Sequence, residues 1–412
     1  MTTPRILIIA GSDSGGGAGL QADIKTVTML GGHAMTAVTA ITAQNTVGVQ
    51  AVMPVPAEMV VAQIRSVWSD IGVDAVKIGM LGSAETAHAV ADVLEELSLA
   101  SRFPDEGRGP ASSAGQLDPG LRRGSGGSTA AAIPIVFDPV MVATSGAALA
   151  DADTIAAFAR LMAIATVTTP NLPELAALGG EAAVLAHGTA LLVKGGHGEG
   201  DRLVDRLVDG SGEGRRWESE RIATRHTHGT GCTLASAIAT YLARGKPLPT
   251  AIARARQFVR LALRDAPGLG AGHGPMGQQS VRLDLGSEMR FNQATLPMAD
   301  YAASAAFYRT LGLTEIVSTE DGHYARFEAP GGATLSIERD HGPATLYFEC
   351  EDLDAEVARL RAAGIAFDSL PTDQSWLWRE ARLRDPAGNP LCLYQADENR
   401  RYPPWRLPGA DA

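Results

Sequence analysis

The sequence predicts an α/β chain: a mostly parallel sheet flanked by helices, followed by an α+β domain of paired βαβββ modules. Three observations predict it. From Arg5 to about Ala266 short apolar runs alternate with helix-like stretches, the pattern of strands joined by crossover helices. The first apolar run ends in a glycine-rich turn at residues 11–19, as strands do where an open α/β sheet receives its ligand. Towards the C-terminus the chain repeats its own punctuation. Asp300 precedes Gly312-Leu313 by the spacing that separates Asp352 from Gly364-Ile365, which implies two copies of one module.

In chain order, the strand-like runs of the first part are residues 6–10, 75–78, 135–137, 166–169 and 190–193. Its helix-like stretches are 57–69, 84–97, 174–177, 234–242 and 248–264. Residues 102–129 are rich in Gly, Ser, Pro and Arg without periodicity and predict a disordered surface insertion. The first domain is expected over 1–278, a linker over 279–287, the second domain over 288–397 and an extended tail over 398–412. Within the second domain Asp300 and Asp352 suit helix N-caps, and Gly312 and Gly364 the position just past a helix end. Strands follow at 324–328 and 334–338 in one copy and at 380–384 and 391–394 in the other.

Length and composition bound the function. At 412 residues the chain exceeds one ordinary core, and 45% apolar with 20% charged residues is globular composition. No stretch approaches the ~18 uninterrupted apolar residues of a membrane span, and the run at 6–10 is too short for a signal sequence. A formal charge of −11 opposes binding to nucleic acid. Cys232, Cys350 and Cys392 are widely spaced with no CxxC pair, which suits a cytoplasmic, reducing compartment and argues against a disulfide frame or a zinc knuckle.

Two glycine-rich helix starts carry the chemistry. The turn Gly11-Ser12-Asp13-Ser14-Gly15-Gly16-Gly17-Ala18-Gly19 brings backbone close to the carboxyl edge of the sheet; it matches neither the dinucleotide fingerprint nor a Walker A motif. The second, His228-Gly229-Thr230-Gly231-Cys232-Thr233, opens an apolar helix. Free N–H groups of Gly229, Thr230 and Gly231 and the helix dipole would form an anion hole for a transferring phosphoryl group. The same field would lower the pKa of the Cys232 thiol; simple packing of a small Cys is the alternative.

These segments, with Leu20-Gln21-Ala22-Asp23, Thr39-Ala40-Ile41-Thr42-Ala43-Gln44-Asn45-Thr46, Lys77-Ile78-Gly79-Met80-Leu81, Asp138-Pro139-Val140-Met141, Thr169-Pro170-Asn171-Leu172-Pro173-Glu174, Val193-Lys194-Gly195-Gly196-His197 and Thr227 before His228, resemble the motifs of bacterial hydroxymethylpyrimidine and phosphomethylpyrimidine kinases of the ribokinase superfamily. They stand in that family's order over roughly residues 5–278. The resemblance implies a ribokinase-like fold and ATP-dependent phosphorylation of 4-amino-5-hydroxymethyl-2-methylpyrimidine, then of its monophosphate, for thiamine synthesis. It implies a homodimer, ATP and Mg²⁺ as cofactors, and a pyrimidine held by Gly11, Asp23, Gln44, Met80 and Val140. Gln44 can donate and accept to the ring, and Met80 and Val140 offer it an apolar face. Cys232 stands where related sugar kinases carry an Asp base. Lys194, Asn171 and Thr227 would meet ATP phosphates, and Asp138 and Glu174 would hold Mg²⁺ largely through water. Blander readings stay open: Asp23 as a surface helix charge, Met80 as core, Lys194 as a strand-end cation, Glu174 as helix-dipole compensation. Pyridoxal kinase activity is the rival within the same fold, and a protein that mainly binds a small molecule through its C-terminal domain is the rival from another class.

Residues 288–397 resemble the vicinal oxygen chelate superfamily through Ala305-Ala306-Phe307-Tyr308-Arg309-Thr310-Leu311-Gly312-Leu313 and Leu383-Arg384-Asp385-Pro386-Ala387-Gly388-Asn389-Pro390. In that superfamily metals are held from the first and last strands of each module. Here the matching positions carry Gln293, Thr345, Ser336 and Cys392, with Glu338 one slip away, a poor divalent-metal set. No catalytic metal is expected, and the ligand is unknown. Trp376, Trp378, Arg379 and Tyr347 could line an aromatic cavity or serve as ordinary packing; His323 and His341 are expected to be solvated.

Overall fold

The computed structural model describes residues 3–102, 132–142, 146, 149–197, 200–210, 212–281, 285, 289–386 and 388–408. From residue 103 onward the expected insertion lies outside them. The chain divides into two compact units, the first comprising Met1–Thr28, Gly32–Ala255 and Gly268–Met276, the second Met29–Gly31, Arg256–Pro267 and Gly277–Ala412.

The elements in chain order begin β1 (Arg5–Asp13), α1 (Gly19–Met29), β2 (His33–Gln44), β3 (Val49–Pro54), α2 (Ala57–Asp70), β4 (Ala75–Ile78), α3 (Ala84–Arg102) and β5 (Ile135–Phe137). They continue α4 (Ala152–Ile164), β6 (Val167–Thr168), α5 (Leu172–Ala177), α6 (Glu181–Leu185), β7 (Ala190–Val193), β8 (Arg202–Asp209), β9 (Gly212–Glu220), α7 (Thr230–Ala243) and α8 (Leu248–Arg264). Among the described residues the strands form one sheet of nine, in the order β3-β2-β1-β4-β5-β6-β7-β8-β9. The six from β2 to β7 are parallel; β3 and β8 run antiparallel to them, and β9 pairs antiparallel with β8.

Burial explains the sequence pattern. Ile6 to Ile9 are wholly enclosed, because helices cover both faces of a parallel strand, so β1 is a continuous apolar run and not an alternation. Each such side chain contributes roughly 2 kcal/mol of burial. On α2, Ala57, Val60 and Ile64 form the buried stripe. Helix α7 is enclosed from Thr233 to Tyr241, which matches its apolar composition all round. The hairpin β8–β9 is not among the expected strands: it is rich in charge, and the apolar residues of β8 come in adjacent pairs, Leu203-Val204 and Leu207-Val208, instead of alternating. The chain leaves β1 for β2 on one side and returns to β4 on the other, so β1 and β4 flank the topological switch where ligands of open α/β sheets bind.

The second unit contains β10 (Arg290–Met298), α9 (Tyr301–Thr310), β11 (Thr314–Ser318), β12 (Tyr324–Glu328), β13 (Thr334–Arg339), β14 (Thr345–Glu349), α10 (Leu353–Ala362), β15 (Ser369–Asp373), β16 (Arg379–Arg384) and β17 (Pro390–Gln395). Their sheet order, β11-β12-β13-β10-β14-β17-β16-β15, reads the same from either end module by module. Asp300 and Asp352 cap their helices by accepting from the N–H of Ala303 and Ala355 at 3.0 Å. Gly312 and Gly364 end them with φ of 88° and 89°. Packing continues past residue 397: Arg400 is wholly enclosed and donates to the Gly332 carbonyl at 2.7 Å. Among the described residues no helix is long and apolar enough to cross a membrane.

Candidate active site

The glycine-rich turn is organised by one carboxylate. Asp13, at the end of β1, accepts from the N–H groups of Gly15, Gly17 and Ala18 at 2.8–3.0 Å. His228 Nε2 stands 3.0 Å from the same carboxylate. Burial alone would raise the pKa of Asp13; the bonds from His228, Ala18 and Gly15 outweigh it and hold it below the ordinary value. Gly11 faces Met80 so closely that a Cβ would lie 2.5 Å from its methyl group. Gln44 ends β2 with its amide 3.2 Å from His228. The structure therefore brings Gly11, Gln44 and Met80 to one edge of the sheet, and Val140 follows Asp138 at that edge, half-buried.

Asp23 is elsewhere than expected. It is wholly buried on α1, with Lys77 Nζ at 2.8 Å on one oxygen and Ser236 Oγ at 2.7 Å on the other. It is neither a surface charge nor a face open to a substrate. Ser236 follows Cys232 by one helical turn, so the Asp23–Lys77 pair lies beneath the start of α7.

At that start, Gly229 is left-handed at φ 83° and caps α7 (Thr230–Ala243), leaving its first N–H groups free of helical partners. Thr227 accepts weakly from Thr230 N–H at 3.4 Å. A Cβ on Gly231 would meet Asp138 Oδ2 and Lys194 Nζ at 3.3 Å, so the expected anion hole abuts the acidic and basic residues at the ends of β5 and β7. Cys232, half-buried in the first turn, receives the Gly19 N–H. The expected lowering of its pKa is reversed. Burial, with Asp23 and Asp138 nearby, pushes the thiol up to about 11 despite the Lys77 cation.

Lys194 Nζ donates to Asp138 Oδ1 at 2.7 Å and lies 3.9 Å from Glu174; Thr169 Oγ1 donates to the same Asp138 oxygen at 3.0 Å. Burial raises the pKa of Glu174, outweighing the Lys194 cation. Asn171 and Glu174 form a reciprocal capping box on α5, so both side chains have structural work besides any role towards ATP.

In the second unit Gln293 accepts from Thr334 Oγ1 at 2.7 Å, Ser336 pairs with Tyr324 at 2.7 Å, and Cys392 is buried. Among the described residues no group of three or more His, Cys, Asp or Glu is arranged to hold a metal ion. Contrary to expectation, His341 is not solvated: its ring nitrogens lie 3.1 Å from Glu338 and 3.2 Å from Thr345. His323 is more open. Trp378 is buried, stacked on Tyr394 at 4.6 Å with Tyr347 edge-on, while Trp376 and Arg379 turn to the surface. Trp378 and Tyr347 pack as core, and Trp376 and Arg379 as rim.

The phosphomethylpyrimidine kinase family model matches residues 13–102 and 127–277. The chain belongs to this family. Its C-terminal part matches the glyoxalase/bleomycin resistance protein/dioxygenase superfamily over residues 290–393. The hydroxymethylpyrimidine/phosphomethylpyrimidine kinase of Streptomyces coelicolor is 44% identical over 67% of this chain and 94% of its own length. A thiamine biosynthesis bifunctional protein of Geobacter sulfurreducens is 44% identical over 66% of this chain, which spans 51% of that relative. Among solved structures, Bacillus subtilis pyridoxal kinase with ADP aligns at a TM-score of 0.55 and 30% identity, covering 68% of this chain and all of that one (100%). Staphylococcus aureus pyridoxal kinase with AMP-PCP and pyridoxal aligns at 0.54 and 28% identity, covering 67% of this chain and 93% of that one.

For a phosphomethylpyrimidine kinase the carboxylates of Asp138 and Glu174 fit a hydrated Mg²⁺. They are oxygen donors and only two, with Lys194 between them, so phosphate oxygens and water must complete the ion's shell. Sequence reasoning missed Asp13, His228, Lys77 and Ser236. All four lie within or beside the motifs, but their partners are far away in the chain, and spacing carries no signal of such pairings.

Proposed function

We propose that the first unit transfers the γ-phosphoryl group of ATP to the hydroxymethyl oxygen of hydroxymethylpyrimidine, and then a second phosphoryl group to the monophosphate. The observation that carries this reading is the contact of the α7 start with the Asp138–Lys194 pair. It gathers a helix N-terminus, a cation and two carboxylates at the carboxyl edge of the sheet, the parts that phosphoryl transfer needs.

Gly11, Gln44, Met80 and Val140 hold the ring, and Asp23 supports the site from below through Lys77. The N–H groups of Gly229, Thr230 and Gly231 stabilise charge on the moving phosphoryl group. Lys194, bridged to Asn171, meets the ATP phosphates together with Thr227; Asp138 and Glu174 would hold Mg²⁺, which when bound would supply charge neutralisation. The acceptor oxygen bonds to the γ-phosphorus as the bond to the ADP oxygen breaks. With a pKa of about 11 the Cys232 thiol is protonated at neutral pH. Cys232 therefore orients the acceptor hydroxyl, whose proton passes late to an oxygen of the transferred phosphoryl group and from there to water, because a loose transition state asks little of a base. ADP formation with the two pyrimidines as separate acceptors tests the reading; no turnover on either would sink it.

The pyridoxal kinases among the structural neighbours favour pyridoxal as a second acceptor to test. We read the second unit as a metal-free accessory domain that binds a small molecule or mediates association, and the assembly as a homodimer in the cytoplasm.

A further inference from the structure

Asp13 and His228 are 215 positions apart and meet at 3.0 Å. A carboxylate only accepts, so His228 Nε2 carries the proton and donates to Asp13 Oδ2. Gln44 Nε2 lies 3.2 Å from that same ring nitrogen, which sets donor against donor. Exchanging the oxygen and nitrogen of the Gln44 amide removes the conflict. Its oxygen then shares His228 Nε2–H with Asp13 Oδ2 as the second acceptor of a three-centre bond, and its NH₂ donates across 3.2 Å to Thr42 Oγ1, whose own proton goes to the Ser12 carbonyl at 2.8 Å. In this arrangement no donor from His228 to Ser12 faces another donor.

We propose that His228 is a positioning residue that fixes the polarity of Gln44. With its oxygen turned to His228 and one N–H on Thr42, the amide has one N–H left for the acceptor. That selects heteroaromatic alcohols whose ring nitrogen offers a lone pair. Because His228 immediately precedes Gly229, one backbone segment fixes both this selectivity and the entrance to the anion hole. The inference rests on the reading of Gln44 as an acceptor-binding residue.

The test is steady-state kinetics of the full chain with hydroxymethylpyrimidine as the varied acceptor, for wild type, His228→Ala, Gln44→Ala and the double variant. Removing the ring frees the amide to turn, so His228→Ala raises the acceptor KM about tenfold, the scale of one hydrogen bond, and leaves the ATP KM within about twofold. In the Gln44→Ala background His228→Ala has no further effect on the acceptor KM, because coupled residues are not additive. His228→Gln, which keeps an amide donor, recovers most of the loss. Multiplying effects in the double variant, or equal rises in both KM values, would overturn the proposal. Should His228→Ala fail to fold, His228→Asn, too short to reach Gln44, replaces it in the cycle. Absence of wild-type turnover would defeat the proposed function itself and is distinguishable from either result.

Discussion

Gly229 and Gly17 meet backbone to backbone: a Cβ on Gly229 would stand 2.0 Å from the Gly17 carbonyl oxygen. The two glycine-rich segments, from opposite ends of the kinase unit, close on each other through positions where no side chain fits. Gly229 also holds φ 83°, so Gly229→Ala meets both a clash and backbone strain. Left-handed non-glycine residues cost about 1–3 kcal/mol. We expect a lower melting temperature and a fall in kcat exceeding the change in ATP KM, read from thermal melts and initial rates.

The Cys232 thiol sits at about 11. Alkylation by iodoacetamide, followed on its own peptide, should be slow at pH 7 and rise about tenfold per pH unit until near that value. Lys77→Met removes the stabilising cation and should push the rise to still higher pH. A plateau near pH 8 would restore Cys232 as a thiolate base.

Lys77 and Asp23 form a wholly buried ion pair. Breaking a buried pair on one side leaves a stranded charge and costs about 3–5 kcal/mol. Lys77→Met should therefore lose more stability in urea unfolding than Lys77→Met with Asp23→Asn. If the single and double variants lose equally, the pair is not the buried unit described.

Asp13 has a folded-state pKa below its ordinary value. A depressed carboxylate contributes stability that is fully present above its unfolded pKa of about 4 and is lost as pH falls through the folded value. The difference in melting temperature between wild type and Asp13→Asn should be constant above about pH 5 and close towards acid. A difference that widens in acid would contradict the assignment.

Much of this architecture was legible in the chain. Residues 75–78, 135–137 and 190–193 are β4, β5 and β7 with the expected bounds, because enclosed parallel strands are mostly apolar runs, and 248–264 is α8 because its apolar residues recur at helical spacing. The Asp300/Asp352 repeat gave the paired modules of the second unit. The charged hairpin β8–β9 left no such signal. Nor did the side-chain partners: Asp23 reads as polar and is buried, since only the fold brings Lys77 and Ser236 to it. At Cys232 the dipole field of the helix start is visible in the chain, but the desolvation that exceeds it depends on the fold. His341 read as a turn residue because its contacts to Glu338 and Thr345 depend on where the turn folds.

The central claim is tested most directly by ADP formation from purified protein supplied with Mg²⁺, ATP and one acceptor at a time: hydroxymethylpyrimidine, its monophosphate or pyridoxal. The account predicts turnover on both pyrimidines, with kcat/KM above that on pyridoxal. Turnover on pyridoxal alone, or on none of the three, would contradict it.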